Sequence, residues 1–395
     1  MLTSVDNITP DAAPRAAGRA GRYVRQPTGY SAFIPAPLPP DPPVAIDAEL
    51  QQRLSAADRA LGRLDGSIHT LPDPDLFVLM YVRKEAVLSS QIEGTQSSLT
   101  DVLKAEAEIF DPDAPRDVAE VINYIAAMNL GLERLKELPV SLRLIRDIHA
   151  RLMQGVRGGE RAPGEFRRSQ NWIGPAGATL REATFVPPPP DVAEAALGDL
   201  DRFLHADDRL PPLVRIGLAH AQFETIHPFL DGNGRVGRLL IAFLLCERKL
   251  LEKPVLYISW YLRAHRQEYY ERLQQTRDSG DWEGWLNFFL RGIAEAADQA
   301  ADTARRILLL RETHRRAIAE RLGSSGGRGA RLLDHLYRRP TVSVTEVARL
   351  IGVSFPNANK LVDQFVKLEL LTEITGHARN RRFLYAPYTE LFADA

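Results

Sequence analysis

Two apolar runs, at about 213–226 and 239–245, flank the polar turn His227-Pro228-Phe229-Leu230-Asp231-Gly232-Asn233-Gly234-Arg235-Val236-Gly237-Arg238. Runs of that kind read as helices of the interior, so the chain must fold into a helical body built around this pair and the turn joining it. Gly232 and Gly234 reach backbone geometries that other residues reach only with strain. They also let the backbone come close to a ligand, with N–H groups at the start of the second helix converging on it. A helix N-terminus has unpaired donors and partial positive charge, so it favours an anion. Arg235 and Arg238 add two fixed charges with forked donors suited to phosphate oxygens. Asp231 is a carboxylate of the kind that holds Mg²⁺ together with phosphates, and His227 exchanges a proton near neutral pH. Together these residues point to phosphoryl-type chemistry on a nucleotide.

The rest of the composition narrows the class. The chain has 395 residues, room for more than one domain. Its 45% hydrophobic and 26% charged residues are ordinary for a globular protein. A net charge of −1 excludes a global basic field that would draw in nucleic acid or anionic membrane. Cys246, the single cysteine, closes an apolar run. It is expected in the core, with no disulfide framework. The run at 239–245 is too short to span a membrane, and the opening residues lack a signal-peptide core. The expected compartment is the cytoplasm, with no membrane partner.

Patterning along the chain predicts a mainly α fold in five parts. Residues 1–45, rich in Ala, Gly, Arg and Pro, read as an extended arm that Tyr23, Tyr30, Phe33 and Ile34 can anchor. Residues 46–120 form a helical region. One of its helices, with an apolar stripe from Leu76 to Leu88, ends at Ser89-Ser90-Gln91-Ile92-Glu93-Gly94. Glu93 is misplaced there, because a helix C-terminus repels anions, and a residue set against a local rule is a candidate for function. Residues 121–300 form the core. Within it, Asn171-Trp172-Ile173-Gly174 and Ala183-Thr184-Phe185-Val186 read as a small β-hairpin, an edge with which an extended peptide can pair. The aromatic residues Trp282, Trp285, Phe288 and Phe289 read as core. Residues 301–327 are a connecting helix and a glycine-rich linker. Residues 328–395 show helix, helix–turn–helix and a two-stranded wing, the order of a winged helix. Asn357, Asn359 and Lys360 face outward on its second helix, and Arg379, Arg381 and Arg382 lie on the wing. DNA and protein are both candidate partners for this unit.

The central turn resembles the signature of the Fic (filamentation induced by cAMP) family, His-Pro-Phe-x-Asp/Glu-Gly-Asn-Gly/Lys-Arg-x-x-Arg, at every defined position from His227 to Arg238. Ser89-x-x-x-Glu93-Gly94 is similar to the family's inhibitory motif, and the hairpin ending Phe185-Val186-Pro187-Pro188 is similar to its target-docking flap. The resemblance implies a Fic-type helical bundle with a flap, and transfer of AMP from ATP to a Tyr, Thr or Ser hydroxyl of a target protein. It implies His227 as the base, Asp231 as the Mg²⁺ ligand, and Phe229, Gly232, Asn233, Gly234, Arg235 and Arg238 around the nucleotide. It also implies that Ser89, Glu93 and Gly94 hold the enzyme off, with Glu93 paired to Arg238 where the γ-phosphate would sit. Ala183, Thr184, Phe185 and Val186 would dock the target. A second copy of the chain is a further candidate partner. Two rivals stay open: an enzyme of the same fold that removes AMP or transfers another group, such as UMP, phosphocholine or a phosphate, and a nucleotide-sensing DNA-binding regulator. Gly234 stands where phosphate-transferring relatives have lysine, which argues against phosphate transfer. A metal held by His220 and His227 lacks a third ligand at suitable spacing, so His220 is expected as a core or supporting histidine.

Overall fold

Apolar stripes at helical period commit this chain to helices packed on helices. The computed structural model describes every residue except 1–17, 70, 72–73, 110–113, 176, 208, 378 and 393–395. Fifteen α-helices and two small sheets make up the described residues.

The arm is more ordered than its composition predicts. Beyond the undescribed first residues, β1 (Gly21–Arg25) pairs antiparallel with β2 (Ser31–Pro35). Phe33 is buried beneath the hairpin, Tyr23 donates to Asp278 Oδ1 at 3.0 Å, and Arg19 Nε donates to the Gly280 carbonyl at 2.9 Å. Proline excludes the stretch after β2 from helix, and it runs as irregular chain with bends until α1 (Ala48–His69). A helix pair follows, α2 (Pro74–Ile92) and α3 (Leu99–Glu106). The core continues with α4 (Val118–Arg134), α5 (Leu142–Leu152), α6 (Pro190–His205), α7 (Pro212–Ile226), α8 (Asn233–Glu247), α9 (Ser259–Ala264) and α10 (Arg266–Ser279). Cys246, expected in the core, is only half-buried near the end of α8.

The expected division between core and connecting helix falls inside one element, because α11 (Trp282–Arg321) is a single continuous helix. Its aromatic residues Trp282, Trp285, Phe288 and Phe289 are buried, as the sequence predicts. Beyond them, Ala296, Ala297, Ala300, Ala301 and Ala304 make a smooth surface. Leu54, Ala57, Leu61 and Leu64 of α1 lie against α11 along its length.

The glycine-rich linker is likewise corrected. Residues 323–325 form a 3₁₀ turn, and α12 (Gly326–Arg338) follows at once. A Cβ on Gly329 would sit 2.7 Å from Ile318 Cγ2, so glycine lets α12 fold back on the end of α11. The chain then forms β3 (Thr341–Ser343), α13 (Val344–Ile351), α14 (Phe355–Lys367), β4 (Thr372–Glu373), β5 (Arg382–Leu384) and α15 (Ala386–Glu390). The sheet order is β3-β5-β4, three strands where the sequence suggested two. Ser343 both closes β3 and caps α13 through a capping box with Glu346, which hides so short a strand from periodicity.

Helix α2 touches both halves of the molecule. Tyr81 donates to the Ala300 carbonyl of α11 at 2.9 Å and its ring meets Phe392 edge-on, while Lys84 donates to the Phe392 carbonyl. One and two turns further on, α2 reaches the central turn.

Candidate active site

Helix α7 is buried along its length and ends at His227, whose left-handed backbone (φ 50°, ψ 61°) stops the helix. That conformation is unusual for a residue with a Cβ, costing about 1–2 kcal/mol. The first cap of α8 is Gly232, also left-handed at φ 77°. No described side chain caps α8, so its first-turn N–H groups face the site. Asn233 clips the loop instead of facing a ligand: its Oδ1 accepts from Phe229 N and its Nδ2 donates to Phe229 O, both at 2.8 Å. Phe229 is fully buried and stacks on His149 at 3.7 Å. Both residues, expected around the nucleotide, shape the loop from behind. His149 accepts from Gly164 N at Nδ1 (2.8 Å), which leaves Nε2 to donate to the Asp231 carbonyl (3.1 Å). Burial pushes the imidazole down to about 4, so it is neutral.

The charged residues divide between inside and rim. Asp231 keeps a partly exposed carboxylate, with Arg161 and Arg235 each 3.7 Å away. Arg235 is buried and donates to Glu120 of α4 at 3.0 Å. Arg238 is 1% exposed and donates to the Ser89 hydroxyl (2.7 Å), the Ser89 carbonyl (3.0 Å) and Glu93 Oε1 (2.6 Å). Burial pushes the Glu93 carboxyl up, but Arg238, with Arg235 behind it, holds it below the usual carboxylate value. Glu93 follows the last residue of α2, and Gly94 turns the chain away at φ 99°. A Cβ on Gly234 would fall 2.2 Å from Glu93 Oε1. The Glu93 carboxylate therefore rests on the first turn of α8, where a helix attracts an anion.

His227 carries no such partner. Its Nδ1 is buried without a hydrogen bond of ordinary geometry, although the Glu224 carbonyl lies near the ring. Burial, then Arg277 and Arg167, lowers its pKa to about 4, so at neutral pH it can accept a proton. His220 is a supporting residue, as expected: Nδ1 faces the Gly237 carbonyl (3.0 Å) and Nε2 the Tyr269 hydroxyl (2.9 Å). Among the described residues no cluster of three or more His, Cys, Asp or Glu side chains could hold a metal.

The hairpin is smaller than predicted. Ile173 and Phe185 form one isolated bridge, with N–H···O distances of 2.9 and 3.0 Å. Phe185 and Val186 turn inward: Arg277 stacks over the Phe185 ring at 3.8 Å, and the Val186 carbonyl accepts from Phe33 N at 2.9 Å. The sequence could not foresee that the arm would cover this strand. Ala183 is half-buried and Thr184 exposed, while Trp172 and Ile173 are the exposed apolar side chains.

Comparison with known proteins places this architecture. Residues 51–133 match the Fic/DOC family N-terminal region and residues 139–245 match the Fic/DOC family itself. The chain therefore carries a Fic N-terminal domain and a Fic domain. A probable protein adenylyltransferase of Aquifex aeolicus is 29% identical over 48% of this chain and 56% of its own length. The protein adenylyltransferase Fic of Culex quinquefasciatus is 28% identical over 64% of this chain and 47% of its own. The chain thus spans about half the length of these curated relatives. A Fic family protein from Desulfovibrio desulfuricans shares the fold at a TM-score of 0.56 and 21% identity, over 87% of this chain and 97% of that one.

Around the Fic turn stand residues that reading the sequence alone missed: Glu120, His149, Arg167, Asn171 and Arg277. Glu120 had a signal, an acid one turn before the buried Tyr124 on the face of α4 that packs inward. His149 had one too, since it falls on the apolar face of amphipathic α5. Arg167 and Asn171 sit in loops and Arg277 on a helix without a clear apolar stripe, where no period separates a buried polar side chain from a solvated one.

Proposed function

We propose that this chain transfers AMP from ATP to a Tyr, Thr or Ser hydroxyl of a target protein, its own chain included, and releases pyrophosphate. One observation carries the reading: His227 closes α7 beside an uncapped helix N-terminus, against which the Glu93 carboxylate, paired with Arg238, already rests. That place suits the terminal phosphate of a nucleotide. The adenylyltransferase names of the curated relatives support the same reading.

His227 takes the proton as the target oxygen attacks the α-phosphorus. The new O–P bond forms as the bond from the α-phosphorus to the β-phosphate oxygen breaks, and pyrophosphate carries away the electron pair. General-base help of this kind contributes ~10²–10⁴-fold. The first-turn N–H groups at 233–235 face the phosphates, and Arg235, held by Glu120, faces the leaving group. Arg238 takes the γ-phosphate once Glu93 withdraws. Asp231 is a single, partly exposed carboxylate, which fits a Mg²⁺ held mainly by phosphates and water. That ion, when bound, spreads the developing negative charge. Ser89, Glu93 and Gly94 form the inhibitory contact, and the exposed side of the flap, with Trp172, Ile173 and Thr184, meets the target. Residues 328–395 we read as a winged helix, supported by the order helix, strand, two helices, two strands. Its partner surface is reduced, because Arg381 is engaged by Asn359 and Arg382 by Glu346.

The test is isotopic. The Glu93→Gly chain is incubated with lysate, Mg²⁺ and ATP labelled at either the α- or the γ-phosphate. Label from the α position on protein, with γ label only in pyrophosphate, is expected. Label from the γ position on protein, or none from either, overturns AMP transfer.

A further inference from the structure

Four consecutive backbone carbonyls of the turn carrying His227 are bound from one short stretch, residues 167–171. Arg167 Nη2 donates to Ile226 O (3.3 Å), and Arg167 Nε donates to His227 O (2.9 Å). The Arg167 backbone N–H donates to Pro228 O (2.9 Å). Asn171 Nδ2 donates to both His227 O (3.1 Å) and Phe229 O (2.8 Å). The same Arg167 Nη2 also reaches Pro188 O at 2.5 Å, at the root of the flap.

This arrangement answers a local difficulty. The last carbonyls of α7 lose their helical partners where the helix stops, and buried carbonyls need donors. The left-handed conformation at His227 lets the chain turn toward α8, but sterics oppose it. The planar guanidinium meets several carbonyls at fixed angles, which an ammonium cannot do. Arg167 is nearly fully buried, and no carboxylate pairs with it among the described residues. A buried cation without an anion is costly, and burial lowers its pKa to about 10. Simple packing would be served better by an apolar side chain.

We propose that Arg167 is the positioning residue of His227, with Asn171 as a second fixing point. By holding the Pro188 carbonyl too, it sets the distance between the base and the flap that presents the hydroxyl. The proposal rests on His227 being the base of the transfer proposed above. The hydrogen bonds of Arg167 go to carbonyls of the turn and the flap, whereas those of Arg238 go to Ser89 and Glu93, so ATP binding is expected to be independent of Arg167.

The experiment measures kcat and KM for ATP in the Glu93→Gly background, with Arg167→Lys, Asn171→Ala and His227→Ala added singly, and hydrogen exchange at residues 227–230. For Arg167→Lys, kcat is expected to fall about 10²-fold, the effect of a misplaced reacting group. The KM for ATP stays near the parent value, and exchange at 227–230 quickens. Unchanged kcat overturns the proposal, as does a loss shared equally by kcat and ATP binding. If Arg167→Lys does not fold, Asn171→Ala decides by the same readouts, since it removes two bonds to the turn from a half-buried site. Activity retained in His227→Ala would remove the base reading itself. An inactive His227→Ala beside a fully active Arg167→Lys would remove the positioning role alone.

Discussion

Replacing Glu93 by glycine should release the enzyme, and the structure sets how far. The pair to be broken joins Glu93 Oε1 and Arg238 Nη2 at 2.6 Å, with the arginine side chain 1% and the glutamate side chain 33% exposed. A hydrogen bond to a charged group contributes about 1.5–3 kcal/mol, and the partial exposure of Glu93 favours the lower half of that range. At 1.4 kcal/mol per tenfold change, productive ATP occupancy should rise by roughly one order of magnitude, and by up to two if Glu93 is fully shielded. The same substitution removes the carboxylate hydrogen bonded to the buried Arg238 and leaves Ser89 to accept from it, so the free variant should melt at lower temperature. ATP, whose γ-phosphate replaces the lost carboxylate, should then restore more stability to the variant than to the parent. The assay is incorporation of α-labelled ATP into protein, paired with thermal melts with and without ATP and Mg²⁺. Equal incorporation by both chains, or an equal ATP-induced shift in their melting temperatures, would refute the reasoning.

Three further outcomes follow from the geometry. The neutral imidazole of His227 is the working form and its pKa is lowered to about 4. The acid limb of kcat/KM, which reports the free enzyme, should therefore lie near pH 4 rather than near the ordinary histidine value; a limb at the ordinary value would contradict this. Glu224 is buried, its Oε1 lacks a partner, and burial raises its pKa to about 7. A carboxyl with a raised folded pKa binds protons more tightly in the fold, so it costs stability as pH climbs from the unfolded value through 7. Glu224→Gln should therefore gain melting temperature at pH 8 and little at pH 5, and an equal gain at both would argue against this account. Finally, α2 is clamped by Lys84 and Tyr81 against Phe392. Lys84→Met with Phe392→Ala should loosen the helix and raise labelling when Glu93 is present, yet change little in Glu93→Gly; labelling that rises equally in both backgrounds would disconnect the clamp from Glu93.

Much of this molecule was written locally. The apolar runs around the central turn and the aromatic stripe of α11 depend on neighbours within a few residues, and periodicity exposes them. The turn was legible for the same reason: base, carboxylate, glycines and arginines come from one continuous segment. What the sequence determined alone was thus the pair α7–α8, the chemistry of the residues between them, and the suspicion attached to Glu93 by its helix end.

Tertiary structure decided which of those side chains face the site. Phe229 and Asn233 belong to the same segment as Arg238, yet they turn away to hold the loop on His149 and on itself. Arg235 acquires Glu120, from a helix more than a hundred positions earlier, and Arg238 acquires Ser89 and Glu93. The flap strand that looked free is roofed by Phe33, because an arm of low helical propensity found an edge to cover. Such contacts join residues whose separation along the chain carries no period. Their energy comes from excluding water around paired charges and carbonyls, and only the folded arrangement supplies that exclusion.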